Sequence, residues 1–275
     1  MGRSAIGEFL RSCRARISPE DVGLVTHGRR RVPGLRREEV ALLSGVSTDY
    51  YVRVEQGRSQ YVSESVLDAV GRALRLSADE RAHLYDLARP SRKAGVAQRH
   101  PVRAGIRLLL ESMPNTPAIV VDHRMFIVTA NALGKALFEL TDEPASRDRA
   151  RYFFLDPHAR TFFPDWHADA DIVVAHLRLL AGRYPNDPGL TSLIGELCIK
   201  SAEFRAAWAD YGVREKLHGA KRIHHPLAGD LELWYERLVI SGEPEYSLIT
   251  YTAASSSVTA ERLGRLASSS GAGRI

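Results

Sequence analysis

SGVSTDYYVRVEQGR, residues 44–58, is the stretch whose reading decides the fold. Gly45 has no Cβ and takes the positive φ that a tight turn between two crossed helices demands. Ser47 follows it as a helix cap, its hydroxyl placed to accept from a backbone N–H two or three residues on. Val46 ahead of the cap and Tyr51 one turn into the helix form a hydrophobic staple that fixes the angle of entry. Helical spacing puts Tyr51 and Val54 on an inward stripe and gathers Thr48, Asp49 and Arg53 on a different, polar face. Short polar side chains at a helix start, with an arginine one turn later, suit insertion into a major groove. There Arg53 reaches guanine O6 and N7, Thr48 a base edge or methyl group, and Asp49 accepts from cytosine N4. Taken alone, the same face reads equally well as solvated surface.

The flanking sequence extends the pattern. Residues 4–17 place Ile6, Phe9, Leu10, Cys13 and Ile17 at spacings of three and four, an amphipathic helix. Ser18 before Pro19 predicts a further short turn. A loop, HGRRRVPG at 27–34, carries Arg29, Arg30 and Arg31, and Arg36 and Arg37 follow with no acid among the five. Such a run is either a solvated loop or a set of phosphate contacts. A second helix then turns Leu35, Val40 and Leu43 inward, with Ala41 small enough for the next helix to cross closely. Gly57 is set to close the helix after the turn in the left-handed conformation. Ser63 caps a fourth helix, and Ser77 with Glu80 makes a capping box for a fifth.

Together, GLRREEVALLSGVSTDYYVRVEQGR and the preceding GRRRVPG loop resemble the XRE family of helix-turn-helix regulators, in its MmyB-like branch. The resemblance implies a five-helix lambda-repressor-like domain in which Ser47 begins the recognition helix. It implies base reading by Thr48, Asp49 and Arg53, and phosphate contacts from Arg37 and Arg58, beside Arg29, Arg30, Arg31 and Arg36. Glu55 would pair with Arg14 in a structural role, alongside Ala41 and Gly45. It further implies a homodimer on double-stranded DNA, its operator an inverted repeat with half-sites about one helical turn apart.

Charge divides the chain in the same place. Residues 1–100 hold 18 Lys and Arg against 12 Asp and Glu, whereas 101–275 hold 20 against 21. A basic front joined to a near-neutral remainder fits a nucleic-acid binder carrying a second module. The length of 275 residues suits two cores. No apolar run is long enough to span a bilayer and no signal-like segment is seen, so a cytoplasmic protein without a membrane role is expected. Cys13 and Cys198 stand far apart in helical patterns and read as buried thiols. His158, Asp165, His167, Asp169 and Asp171 crowd together, yet no metal-ligand spacing is present. No nucleophile or phosphate-cradle motif argues for an enzyme, and no cofactor is expected.

The expected boundaries are 1–88 for the DNA-binding domain, 89–101 for a Pro- and Arg-containing linker, 102–267 for a sensing domain and 268–275 for a flexible tail. The serines at 255–257 and 268–270 read as flexible material. In the second domain, AIVV and MFIVT around DHR predict a hairpin, with Asn131 at its junction with a helix. Two helices follow, over DADIVVAHLRLLAGRY and DPGLTSLIGELCIKSAEFRAAWADYG, then three strands, an α+β order. The MmyB-like branch carries a PAS-like second domain, which this order fits, and the resemblance implies a fatty acid or related lipid as its ligand. Expected walls of a small apolar pocket are Phe153, Phe154, Phe162, Phe163, Trp166, Leu233 and Tyr235, with Asn131, Lys221, Arg222 or His224 to meet a carboxylate. Ordinary core, or a surface for dimerisation or a protein partner, are the competing readings of the aromatic segment.

Overall fold

The computed structural model describes residues 5–24, 34–59, 61–88, 101–209 and 217–269. The chain divides into two compact units: Met1–Gly95 with Arg178–Asp187 and Trp208–Glu215, and Val96–Leu177 with Pro188–Ala207 and Lys216–Ile275.

The first unit is helical. Its helices are α1 (Ala5–Ala15), α2 (Arg37–Ser44), α3 (Thr48–Glu55), α4 (Glu64–Ala73) and α5 (Ala78–Ala88), with one 3-10 turn at Glu20–Val22. Phe9, Leu10 and Cys13 of α1 meet Leu35, Val40, Tyr51, Leu67 and Leu84 in one core, and Leu179 from the 178–187 segment joins it. The turn chemistry is as the sequence demands. Gly45 lies at φ 69° and Gly57 at φ 67°, Ser47 Oγ accepts from Tyr50 N at 3.2 Å, and Ser63 Oγ accepts from Val66 N. Ser77 and Glu80 cap each other reciprocally, at 3.0 and 3.2 Å. Gly34 is needed for another reason: a Cβ there would lie 2.3 Å from the Arg14 carbonyl oxygen, where its backbone passes the end of α1. That close approach lets Leu35 N donate to Arg14 O at 3.0 Å.

The second unit is α+β. It opens with α6 (Ala104–Glu111), the hairpin β1 (Ala118–Asp122) and β2 (Ile127–Ala130), then α7 (Ala132–Leu137), α8 (Pro144–Arg147), α9 (Arg149–Leu155) and α10 (His158–Phe162). Next in the chain come α11 (Trp166–Arg183) and α13 (Ala202–Ala209), whose last residues, from Arg178 and from Trp208, belong to the first unit, with α12 (Pro188–Lys200) between them, then β3 (His218–His225), β4 (Gly229–Val239), β5 (Tyr246–Thr252) and α14 (Val258–Ser269). The five strands form one antiparallel sheet in the order β2-β1-β5-β4-β3. Asp122 Oδ1 tightens the hairpin by accepting from Arg124 N and Phe126 N, both at 2.9 Å. Alternation sends successive residues of the strands to opposite faces. Ala118, Val120, Tyr246 and Leu248 pack in a cluster with Leu110 of α6, while Ile119, Val121, Ile249 and Tyr251 line a chamber on the other face.

Three expectations need correction. The helix expected from Asp187 onward is two, α12 and α13, because Ser201 interrupts it and caps the second by accepting from Phe204 N at 3.1 Å. Ser257, read as flexible, caps α14 at Ala260 N, and Ser268 Oγ donates to Gly264 O inside that helix, so the chain is helical through Ser269. Cys198 is only half-buried, unlike Cys13. Residues 89–100 of the expected linker and 270–275 of the expected tail lie outside the described residues.

Candidate DNA-binding face and ligand chamber

The polar face of α3 stands on a buried ionic brace. Glu55 is 0 % exposed, which only close partners make tolerable. Arg37 supplies two contacts to its Oε1, from Nε at 3.0 Å and Nη2 at 2.9 Å, and Arg14 Nε lies 3.4 Å from Oε2. Arg14 Nη1 also donates to Leu35 O at 2.5 Å, so one carboxylate holds α1, the start of α2 and the end of α3 together. The expected Arg14 partnership is present, and Arg37 is engaged by the same acid while its side chain stays 41 % exposed. Tyr51 is fully buried beside this brace, and burial pushes its phenol well above the ordinary range.

Thr48, Asp49 and Arg53 are all exposed along α3. Arg53 rests over the Tyr50 ring, its guanidinium carbon 5.8 Å from the centroid. Arg36 and Arg58 are exposed as well. Arg36 is the residue before α2, its N–H donating to Glu39 at 2.6 Å. Arg29, Arg30 and Arg31 lie outside the described residues.

In the second unit, the chamber-facing side of the sheet and the aromatic helices border a partly open space of about 110 Å³. Of the expected wall residues, Phe153 and Phe163 line it, and so does Lys221. The structure places the others elsewhere. Trp166 stacks on Phe153 at 5.4 Å and donates from Nε1 to Phe153 O, while Phe154 packs on Phe204 and Phe162 on Tyr152. These three are core behind the wall. Leu233 is buried beside the chamber without lining it, and Tyr235 stands 6.3 Å from Tyr251, its phenol pushed up to about 12 by burial.

Strand alternation explains why Lys221 faces the chamber and its neighbours do not. Arg222 and His224 point outward, where they pair with Asp165 and Asp230, so neither meets the chamber. Asn131 is a structural hub: Oδ1 accepts from Gly134 N and Ala118 N, and Nδ2 donates to Met113 O and Thr116 O. Four bonds on one amide saturate it. It borders a separate open groove of about 930 Å³ rather than the chamber.

The sequence reading missed Phe138, Arg149, Arg237 and Tyr251, all on the chamber wall. Period-two alternation in YSLITYTA, counted from buried Leu248, was the available signal for Tyr251 and Ile249. Nothing local marked Arg149. The wall is unusually cationic for an apolar space. Lys221 is neutralised by Asp169 at 2.7 Å and Arg237 Nη1 donates to His176 at 2.5 Å. Asp165 and Asp169 are thus occupied by cations, and among the described residues no group of three or more His, Cys, Asp or Glu is placed to hold a metal ion. Nor, among those residues, is any helix long and apolar enough to cross a membrane.

Comparison with known families agrees with both halves. Residues 102–266 match the family model for the MmyB-like transcription regulator ligand binding domain, and residues 5–84 match a helix-turn-helix domain. No curated protein matches the chain.

Proposed function

The chain belongs to the MmyB-like transcription regulators, a helix-turn-helix domain followed by a ligand-binding domain, and from that premise we propose that it is a cytoplasmic, dimeric, sequence-specific repressor or activator whose DNA affinity is set by a small apolar ligand. The observation that carries the DNA half is the exposed Thr48, Asp49 and Arg53 face standing on the buried Glu55 brace. These three residues read bases; Arg36 and Arg58, and the unbraced side of Arg37, hold phosphates together with Arg29, Arg30 and Arg31. The expected role is regulation without catalysis, in keeping with two domain families that are regulatory.

The ligand is a fatty acid or a related lipid. The chamber of about 110 Å³ is smaller than an aliphatic chain of a dozen carbons needs, but a groove of about 720 Å³ shares Phe138 and Arg149 with it. A chain that uses both spaces buries about a dozen methylenes at roughly 0.8 kcal/mol each, on the order of 10 kcal/mol before association costs. A second reading, in which the C-terminal domain pairs with another protein or another copy and takes no small effector, is favoured by one feature. Trp234 and Leu238, on the same face of β4, are 59 % and 52 % exposed, apolar surface on a sheet.

In vitro selection from a random duplex library tests the DNA half. The expected product is an inverted repeat with half-sites about one helical turn apart. Arg53→Ala should then lose specificity at one base position per half-site, at a cost of about 1 to 3 kcal/mol. Failure to enrich any sequence would refute the reading. Equal losses on selected and random DNA would remove Arg53 from base recognition.

A further inference from the structure

β3 and β4 pair in register from His218 to His225, and every second pair points away from the chamber: His218 with Glu236, Ala220 with Trp234, Arg222 with Glu232 and His224 with Asp230. All these side chains are exposed. Leu238, further along β4 on the same face, is exposed too, although its β5 partner Leu248 is buried. Leu248 belongs to the cluster around Leu110 of α6, which covers this face of the sheet over β1 and β5. Among the described residues the half over β4 and β3 is left bare, with a tryptophan and a leucine in the open.

The two bare rows differ in charge. β4 presents the acids Asp230, Glu232 and Glu236 around Trp234, whereas β3 presents Arg222, His218 and His224 around the small Ala220. Within one copy, Asp165 accepts from Nε and Nη2 of Arg222, and His224 Nδ1 lies 2.6 Å from Asp230. Glu232 and Asp230 act on Arg222 from further off. The face is therefore a donor row beside an acceptor row, with one large apolar ring in the second set level with one methyl group in the first.

We propose that this half of the sheet is where two copies of the chain meet, packed face to face about a two-fold axis that runs along the strands between β3 and β4. This rests on the dimeric reading above and names the surface that makes the dimer. Such an axis lays β3 of one copy over β4 of the other at the same level, a self-complementary contact. Arg222 then faces the partner's Glu232, His218 faces the partner's Glu236, and Trp234 fills the room over the partner's Ala220. An axis over β4 itself would set Glu232 and Glu236 against their own copies, and like charges opposed across an interface are costly. The charges thus select the first axis. Face-to-face sheets cross at about 30° and lie about 10 Å apart, a layer that a pair of tryptophans fills. Lys221, Arg237 and Tyr251 line the chamber on the opposite face, so the pairing leaves the chamber as it is.

Sedimentation velocity on the full chain, over a micromolar dilution series, tests the proposal with charge reversals. Wild type should sediment as a dimer. Arg222→Glu sets acid against acid in a self-pair and Glu232→Arg sets base against base, so each variant alone should raise the dissociation constant about tenfold or more. Mixed in equal amounts, the two variants should regain a dimer of about wild-type strength, because each 222–232 contact between copies is again of opposite sign. Mixing does nothing for the pair within one copy, so recovery reports the contact between copies alone. Trp234→Ser should weaken the dimer to a similar degree. Circular dichroism reports the folding of the variants, and if a reversal variant does not fold, Trp234→Ser decides. Dimers of unchanged strength in the folded variants overturn the surface and leave the dimeric reading standing, and a mixture that stays dissociated overturns the two-fold arrangement. A wild type that is monomeric throughout overturns the dimeric reading itself, an outcome distinct from the other two.

Discussion

His83 illustrates how a single side chain reports its surroundings. It is 3 % exposed and packs edge-on against Phe9 at 5.0 Å, and a Cβ on Gly182 would collide with its ring. Burial, followed by the charges of Arg178 and Arg183, lowers its pKa from 6.5 to about 4. Below pH 6.5 the unfolded chain takes up a proton that the folded chain refuses. The stability linked to His83 is therefore intact above pH 6.5 and lost as pH falls toward 4, by on the order of 3 kcal/mol. Urea unfolding at pH 7.5 and pH 4.5, compared between wild type and His83→Phe, checks this: the variant should lose less stability over that interval, and parallel losses would contradict it. Residues of this kind divide sharply in legibility. Caps such as Ser47, Ser63 and Ser77 act on donors two or three residues away, so the sequence carries them in full. Arg149 depends on Phe138, Tyr152 and Phe163 converging from three helices or their ends, which no local pattern encodes.

At the scale of elements, the helix-turn-helix is held by one acid shared between three segments. Glu55→Ala should leave Arg14 and Arg37 without their carboxylate in a half-desolvated setting and cost about 3 kcal/mol of unfolding free energy. A loss below about 1 kcal/mol in urea titration would mean that the brace behaves as a surface pair. The amphipathic spacing of α1 and the alternation of Leu231, Leu233 and Tyr235 in β4 were plain in the sequence because each puts its apolar residues on one buried face, whereas α4 and α5 were announced by their caps. The helical break at Ser201 was hidden, since DPGLTSLIGELCIKSAEFRAAWADYG keeps its apolar content through the interruption. The C-terminal α14 was obscured by the serines at both of its ends, which act as a cap and as side chains bonded back to their own helix. Likewise six aromatic side chains in 152–166 announced a dense region, but only two of them, Phe153 and Phe163, face the chamber. Which ring faces inward is fixed by three short helix turns, whose phases a sequence this dense in apolar residues does not set.

For the whole molecule, the excess positive charge of the first hundred residues and the neutral remainder separate two tasks. A ligand in the second unit alters DNA binding only as far as its affinity differs between the DNA-competent and DNA-incompetent states. The two-domain division and the α+β class of the second domain were legible in the sequence, whereas the short helices between β2 and α11 and the volume and chemistry of the chamber emerged only from the folded chain. The direct measurement of the central claim is operator affinity by fluorescence anisotropy, on protein stripped of lipid and on the same protein saturated with decanoate. The account predicts dissociation constants that differ by roughly 5- to 150-fold. Identical constants at saturating decanoate, with decanoate binding established by calorimetry, would contradict it.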